Sequence, residues 1–170
     1  MTPLVSIIMG STSDMPVMEA AAKYLNDMQI PFEINALSAH RTPGLVAEFA
    51  ENAESRGIKV IIAAAGGAAH LPGVIAASTV LPVIGVPIKG TMGMDGWDSV
   101  LSIISMPPGI PVATVGANAA QNAAILATQI MAVGDKAIRD KVAAFKANLA
   151  NKITKANEDL AKIKYDYKTN

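Results

Sequence analysis

Cysteine is absent from this chain of 170 residues, and histidine occurs only twice. The absence of thiols excludes disulfide bonds and thiolate metal sites, and it permits a reducing compartment without proving one. Two imidazoles are few for a histidine-based metal centre. We therefore expect a protein that binds no metal ion.

Charged and aromatic side chains are also scarce. Charged residues make up 16% of the chain and the formal net charge is zero, which does not fit the basic surface of a nucleic-acid-binding protein. No apolar run approaches the roughly 18 residues of a membrane-spanning helix. The amino-terminal residues lack the basic and then apolar segments of a signal peptide. These patterns predict a cytoplasmic protein whose partners include neither nucleic acid nor membrane.

Apolar residues, in contrast, are abundant. They make up 51% of the chain, and the mean hydropathy of +0.35 is high for a soluble protein. A chain of this length fits one domain of ordinary size. A soluble protein more often hides excess apolar surface between subunits than exposes it to water. We therefore expect a homo-oligomer.

Short apolar runs alternate with amphipathic helical patterns over the first 134 residues. The run at residues 60–64 is apolar at every position, as is typical of a parallel strand that is buried on both faces. The alternation predicts an α/β fold, a three-layer doubly wound parallel sheet with flavodoxin-like strand order. We expect the glycine-rich residues 87–96 to form a mobile loop. The predicted strands are residues 5–9, 32–36, 60–64, 83–86 and 112–115, and the predicted helices begin near residues 15, 43, 71, 97 and 117, the last two ending near 105 and 133.

A further amphipathic helix is predicted beyond Gly134. Apolar residues recur at steps of three and four from Ile138 to Ile163, and lysines occupy the outer face. This helix lies outside the alternation of strands and helices. We therefore divide the chain into a flavodoxin-like domain that carries the candidate site, residues 1–134, and a helical extension, residues 135–170, that packs on a neighbouring subunit. The alternative is a helix that folds back on its own domain.

Three loops follow the first three predicted strands. In an open parallel sheet, ligands bind beyond the carboxyl ends of the strands, so these loops are the candidate site. The first loop holds Ser11, Ser13 and Asp14 at the start of a helix, where unpaired N–H groups, the helix dipole and hydroxyl donors favour an anion. This pattern indicates a cradle for a phosphate or a sugar phosphate. The alternative is an ordinary capped helix start.

The second loop contains Ser38-Ala39-His40-Arg41. A neutral imidazole can move protons near neutral pH, and an arginine can bind a phosphate through two N–H groups. These residues predict a proton-transfer group beside an anion-binding group. The alternative is a hydrogen-bonded histidine next to a solvated arginine.

The third loop, residues 65–70, is a stretch of backbone with almost no side chains. Gly66 and Gly67 let a ligand approach the main chain, whose N–H groups can hold an oxyanion or a carboxylate, unless they serve only tight packing of a strand against a helix. We interpret His70 as a structural, hydrogen-bonding histidine. No serine or cysteine nucleophile stands beside a base, and no carboxylates cluster. The three loops together therefore indicate proton shuttling on a small phosphorylated molecule.

These motifs resemble those of the bacterial N5-carboxyaminoimidazole ribonucleotide mutases of purine biosynthesis. The resemblance extends over about residues 5–131 and rests on Gly10-Ser11-x-Ser13-Asp14, on residues 38–43 and on residues 65–73. It implies an isomerase, without metal or organic cofactor, that moves a carboxylate from the exocyclic nitrogen of an aminoimidazole ring to ring carbon C4. It also implies a homo-octamer with active sites shared between subunits.

By this resemblance, His40 is the general acid–base of the reaction. The first loop and Arg41 would bind the ribose phosphate, and the glycine pair would enclose the carboxylate. Carbon dioxide released by decarboxylation would be held in the closed site until C4 attacks it, with His40 moving the proton. The candidate substrate-binding residues are Ser11, Ser13, Asp14, Ser38, Ala39, Arg41, Gly66, Gly67 and His70.

Two other interpretations remain. The related animal-type enzymes carboxylate aminoimidazole ribonucleotide directly with carbon dioxide, but Arg41 and the glycine pair resemble the mutase more closely. From a different class, a non-catalytic flavodoxin-like module could bind a nucleotide or a flavin. That interpretation leaves His40 without a role, and aromatic residues, at 4% of the chain, offer little to stack on a flavin ring.

Overall fold

The computed structural model describes residues 1–90 and 93–170, and within these ranges the chain forms five β-strands and six α-helices. None of these helices is both long enough and apolar enough to cross a membrane. The strands are β1 (Val5–Met9), β2 (Phe32–Ala36), β3 (Val60–Gly66), β4 (Val83–Ile88) and β5 (Ala113–Thr114). The helices are α1 (Met15–Asp27), α2 (Pro43–Asn52), α3 (Leu71–Ala77), α4 (Trp97–Ile104), α5 (Ala120–Ala132) and α6 (Lys136–Ala161).

The five strands form one parallel sheet in the order β2-β1-β3-β4-β5. This is the flavodoxin-like order, so the predicted fold class is confirmed. Val5 of β1 pairs with Phe32 of β2 on one side and with Val60 of β3 on the other, which makes the three strands start level. The loops that follow them therefore reach the same edge of the sheet.

Helices cover both faces of this sheet. Because successive side chains of a strand point to opposite faces, Ile7 packs in one core with α1, α5 and α6, whereas Ile8 packs in the other with α2, α3 and α4. Gly85 of β4 lets α4 lie close to the sheet, since a Cβ at this position would come within 2.5 Å of Cγ2 of Ile103. The predicted three-layer arrangement is thus present.

The bounds of β5 and α5 differ from the sequence predictions because of tertiary contacts. β5 has only two residues, since it is an edge strand that pairs only with Ile84 and Gly85 of β4. α5 begins at Ala120 and not near residue 117. Asn118 has a φ of +57°, outside the helical region, and its Oδ1 accepts the backbone N–H of Lys89 at 3.0 Å.

The loop predicted at residues 87–96 is partly strand. Its first two residues, Pro87 and Ile88, belong to β4, and Lys89 forms an ion pair with Asp95. Residues 91 and 92 lie outside the described ranges. The mobility of this loop stays a prediction.

The long helix α6 begins against its own domain and then extends away from the packed core. Phe145 packs edge-on against Tyr24 of α1, with ring centroids 5.0 Å apart. Nζ of Lys141 donates to the carbonyl oxygen of Met28, at the end of α1, at 2.8 Å. Residues 146–161 are exposed along their whole length. That this second half packs on a neighbouring subunit stays a prediction.

Candidate active site

The loops after β1, β2 and β3 surround a cleft of about 400 Å³ at the carboxyl ends of these strands. In an open α/β sheet the switch point, where the strand order reverses, is where ligands bind, and here it lies between β1 and β3. Ten site residues were predicted from the sequence motifs, and all of them except Ser13 and Gly67 line this cleft. The cleft is lined by Gly10, Ser11, Asp14, Ser38, Ala39, His40, Arg41, Ala65, Gly66, Ala69, His70 and Leu71.

The first loop folds into a short 3-10 turn, Thr12–Asp14, that leads into α1. Oγ of Ser11 accepts the backbone N–H of Ser13 at 3.3 Å. The hydroxyl of Ser13 is exposed, and it lies 2.9 Å from Oγ of Ser11 and 3.2 Å from Oδ1 of Asp14. Burial raises the pKa of the Asp14 carboxyl above its ordinary value of 3.8, and the hydrogen bond from Ser13 opposes this rise. Ser13 therefore orients the two side chains beside it that do line the cleft.

The side chain of Arg41 joins the first loop to the second. Its Nη2 donates to the carbonyl oxygen of Gly10 at 2.8 Å, and its Nε donates to Oγ of Ser38 at 3.3 Å. The backbone N–H of Arg41 also donates to Oγ of Ser38, at 3.2 Å. Thr42, which was not among the predicted site residues, closes the loop: its hydroxyl accepts the N–H of Ser38 and donates to the carbonyl oxygen of Ser38. A guanidinium held in this way is already oriented before a ligand arrives.

The two histidines of the chain meet at the cleft. Nε2 of His40 lies 2.7 Å from Nδ1 of His70, and the two ring planes are nearly perpendicular, at 83°. One of these nitrogens must carry the proton and the other must accept it. His70 is thus a hydrogen-bonding histidine, but its partner is the candidate acid–base itself. The sequence could not show this contact, because 30 residues separate the two positions.

The glycine loop makes a tight turn between β3 and α3. The N–H of Ala69 donates to the carbonyl oxygen of Gly66 at 3.1 Å, and Gly67 has a φ of +60° that suits glycine. Ala69 also has a positive φ, of +46°. Gly66 lines the cleft, whereas Gly67 serves the turn and does not line it.

The cleft therefore combines a guanidinium, two imidazoles, hydroxyl groups and a bare stretch of backbone. Within residues 1–90 and 93–170, no group of three or more histidine, aspartate or glutamate side chains could hold a metal ion. The arrangement can bind an anion beside Arg41 and can move a proton at the paired imidazoles. These features are those expected of a flavodoxin-like α/β enzyme that acts on a small anionic molecule.

Comparison with known proteins gives the family. The chain matches the AIR carboxylase family over residues 4–152, and it belongs to that family. The resemblance that the three motifs indicated is thereby confirmed at the level of the family.

Three relatives illustrate the range of the similarity. N5-carboxyaminoimidazole ribonucleotide mutase of Pyrococcus abyssi is 56% identical over 147 residues, which cover 86% of this chain and 84% of that protein. Phosphoribosylaminoimidazole carboxylase of Candida albicans is 50% identical over 169 residues, which cover 99% of this chain but only 30% of that protein. The crystal structure of Treponema denticola PurE matches with a TM-score of 0.81 at 32% identity, covering 93% of this chain and 98% of that one.

Proposed function

We propose that this protein is an isomerase of purine biosynthesis that converts N5-carboxyaminoimidazole ribonucleotide to 4-carboxy-5-aminoimidazole ribonucleotide. The observation that carries the proposal is the meeting of His40, Arg41 and Gly66 in one cleft at the switch point of the sheet. Three relatives between 51% and 56% identical carry the name of this mutase, which supports the choice of substrate.

The phosphate end of the substrate would lie at the first loop and Arg41. Within residues 1–90 and 93–170, the guanidinium donates from Nη2 to Gly10 and from Nε to Ser38, so the N–H groups of Nη1 remain for a phosphate oxygen. The hydroxyl of Ser11 adds a donor near the start of α1, where the helix dipole favours negative charge. The carboxyl of Asp14 is an acceptor, so it suits a ribose hydroxyl better than a phosphate.

The imidazole of His40 would move the proton of the reaction. As the N–C bond of the carbamate breaks, carbon dioxide leaves and the exocyclic nitrogen takes up a proton from His40. C4 then attacks the carbon dioxide, and His40 removes the proton that C4 carried. The net change is one carboxylate moved from nitrogen to carbon and one proton moved from carbon to nitrogen. No electrons are gained or lost, so the reaction itself calls for no oxidant or reductant.

The backbone at Gly66, together with Ser38 and Ala39, would hold the carbon dioxide between the two steps. A small molecule held against its reaction partner reacts within one complex. This proximity lowers the activation free energy by several kcal/mol, roughly 7–11 in the best-oriented cases. A Cβ at Gly66 would make a tight contact of 3.2 Å with the carbonyl oxygen of Ile88, so a side chain here would require the backbone of β4 to shift. The main chain is therefore bare at this point of the cleft.

The direct carboxylase is the second candidate, and the relatives do not favour it. The Candida albicans carboxylase is 50% identical, but the matched part is only 30% of that longer protein. Its name therefore describes a protein with additional domains. A flavin- or nucleotide-binding module is the third candidate, and it gives the hydrogen-bonded pair of His40 and His70 no role.

A labelled-substrate assay tests the proposal. The protein is incubated with N5-carboxyaminoimidazole ribonucleotide that carries ¹³C in its carboxylate, in unlabelled bicarbonate buffer, and aminoimidazole ribonucleotide with bicarbonate is the parallel substrate. We expect fast conversion of the first substrate with retention of the label, because the carbon dioxide stays in the cleft. Faster product formation from the second substrate would favour the carboxylase. A yellow preparation that is inactive on both would favour the flavin module.

We propose in addition that the protein works in the cytoplasm as a homo-oligomer. The resemblance implies an octamer whose active sites are shared between subunits. Large apolar side chains that are more than half exposed support an assembly. Three of them share one face of α4, namely Trp97, Leu101 and Ile104, and a fourth, Ile153, lies on the exposed second half of α6. Sedimentation velocity of the purified chain gives the mass that tests this assembly.

A further inference from the structure

A serine outside the cleft bonds to the glycine loop. Ser102 lies on α4, and its hydroxyl donates to the carbonyl oxygen of Ala68. Neither the sequence motifs nor the lining of the cleft includes this residue. The contact nevertheless joins α4 to the loop that carries His70.

The hydrogen bond from Ser102 fixes one side of the Ala68–Ala69 peptide. The other side is fixed by the N–H of Ala69, which donates to the carbonyl oxygen of Gly66 at 3.1 Å. Ala69 has a φ of +46° and is only 4% exposed. A non-glycine residue in this left-handed region costs about 1–2 kcal/mol and persists only where its surroundings hold it. Two hydrogen bonds and burial supply that support here.

The position of Ala69 determines the position of the next residue, His70. The ring of His70 reaches His40 at 2.7 Å, a distance that leaves little tolerance for movement of the backbone. If the Ala68–Ala69 peptide turned, Ala69 could leave the left-handed region, and the ring of His70 would move with it. We propose that Ser102 is a positioning residue that holds this peptide and thereby keeps His70 paired with His40.

The second serine of α4 provides a comparison. Ser99 is buried, and its hydroxyl reaches the carbonyl oxygen of Ile88 at 3.0 Å and that of Gly96 at 2.9 Å. Ser99 thus anchors α4 to the end of β4, whereas Ser102 bonds from the same helix to the glycine loop. Loss of the Ser99 hydroxyl removes buried contacts at the start of α4, whereas only loss of the Ser102 hydroxyl should affect the pair of histidines.

Nuclear magnetic resonance of the histidine rings tests the structural part of the proposal. Because the chain has only two histidines, ¹⁵N-labelled histidine gives the ring signals of His40 and His70 alone. We expect Ser102→Ala to lose the inter-ring contact and to shift both sets of ring signals. We expect Ser99→Ala to keep them while it lowers the melting temperature. Unchanged ring signals in Ser102→Ala, or an equal change in both variants, would overturn the proposal.

If Ser102→Ala does not fold, a second pair of variants separates the effect of the hydroxyl from that of the side-chain shape. Ser102→Thr and Ser102→Val have the same shape, but only threonine keeps the donor. We expect the ring signals of Ser102→Thr to remain near those of the parent and those of Ser102→Val to change. The same signals from both variants would overturn the proposal, since shape alone would then account for the role of Ser102.

Steady-state kinetics test the functional part of the proposal, which rests on the proposed function. We expect Ser102→Val to lower kcat by about 10-fold with KM changed by less than about 2-fold, because the proton-transfer pair is displaced while Arg41 and the first loop remain. Ser102→Thr should keep kcat near the parent value. If the parent protein proves inactive as a mutase, the ring signals still decide whether Ser102 holds the pair, so the two failures are distinguishable.

Discussion

His40 is the residue on which the proposed chemistry depends most directly. Asparagine at this position keeps hydrogen-bonding capacity but cannot take up or release a proton near neutral pH. We expect His40→Asn to lower kcat by about 10²- to 10⁴-fold, whereas affinity for the product changes by less than about 3-fold. Steady-state rates and calorimetric titration with the product measure the two quantities. A rate near that of the parent would remove His40 from the mechanism.

Arg41 provides the anion-binding part of the cleft. Loss of a hydrogen bond to a charged group costs about 1.5–3 kcal/mol, so Arg41→Ala should weaken product binding by roughly 10- to 150-fold. The parent should prefer the phosphorylated product over its dephosphorylated form, and the variant should lose that preference. Arg56→Ala is the matched control, because Arg56 pairs with Glu33, which is not in the cleft. Equal affinity of the parent for both ligands would contradict the assignment.

Asp14 adds a dependence of stability on pH. Burial raises the pKa of its carboxyl in the folded state above the ordinary 3.8, so the ionised form is less favourable in the native protein than in the unfolded chain. Well below pH 3.8 the carboxyl is protonated in both states and no penalty arises, whereas at neutral pH the penalty is fully present. We expect Asp14→Asn to raise the urea midpoint at neutral pH, and the gain to disappear in acid. A lower midpoint at neutral pH would show that another contact of Asp14 dominates.

At the residue scale, the sequence was informative wherever a residue type alone limits the chemistry. Eight of the ten residues predicted from the motifs line one cleft, since they follow the carboxyl ends of three neighbouring parallel strands. The roles of His70 and Ser102 could not be read from the sequence. Each depends on a contact across 30 or more positions, and only the folded chain sets such a distance.

At the scale of elements, the close packing of α4 on β4 depends on Gly85. A Cβ at this position would lie 2.5 Å from Cγ2 of Ile103 and 2.9 Å from Cγ1 of Val112. We expect Gly85→Ala to destabilise the protein by about 1–3 kcal/mol, because overpacking forces the neighbours to move. Gly44→Ala is the matched control, since Gly44 lies exposed in the first turn of α2 with nothing within 4 Å of its Cβ, and we expect no loss of stability there. Urea unfolding of both variants measures the difference, and equal stabilities would contradict this account.

The sequence predicted the elements well where hydrophobic periodicity alone defines them. β1 and β2 have the predicted bounds: β1 is a short, fully buried and mostly apolar run, and in β2 apolar residues alternate with Glu33 and Asn35. The start of α5 was predicted too early. Alanine at residues 117 and 119 favours a helix locally, but Asn118 between them is held in a positive φ by its bond to Lys89.

At the scale of the whole molecule, α6 has two halves with different environments. Its first half is part of the domain, since Ile138 and Val142 are buried there. Its second half is exposed, although Leu149, Ile153 and Leu160 continue the apolar pattern. An isolated helical segment of this length is marginal in water without packing on its apolar face. A neighbouring subunit would provide that packing.

A truncation after Asn148 therefore separates assembly from folding. A cut at Gly134 would also remove Ile138 and Val142 from the core, so a smaller mass could then reflect unfolding. The cut after Asn148 leaves these contacts in place, and we expect the shortened chain to keep its melting transition while its mass by sedimentation velocity falls below that of the parent. Each apolar side chain removed from an interface forfeits about 1.5–3 kcal/mol of burial, so replacing Leu149 and Ile153 by serine in the full-length chain should weaken the assembly in the same direction. If the parent and the truncated chain assemble with the same number of subunits, the second half of α6 is not an interface.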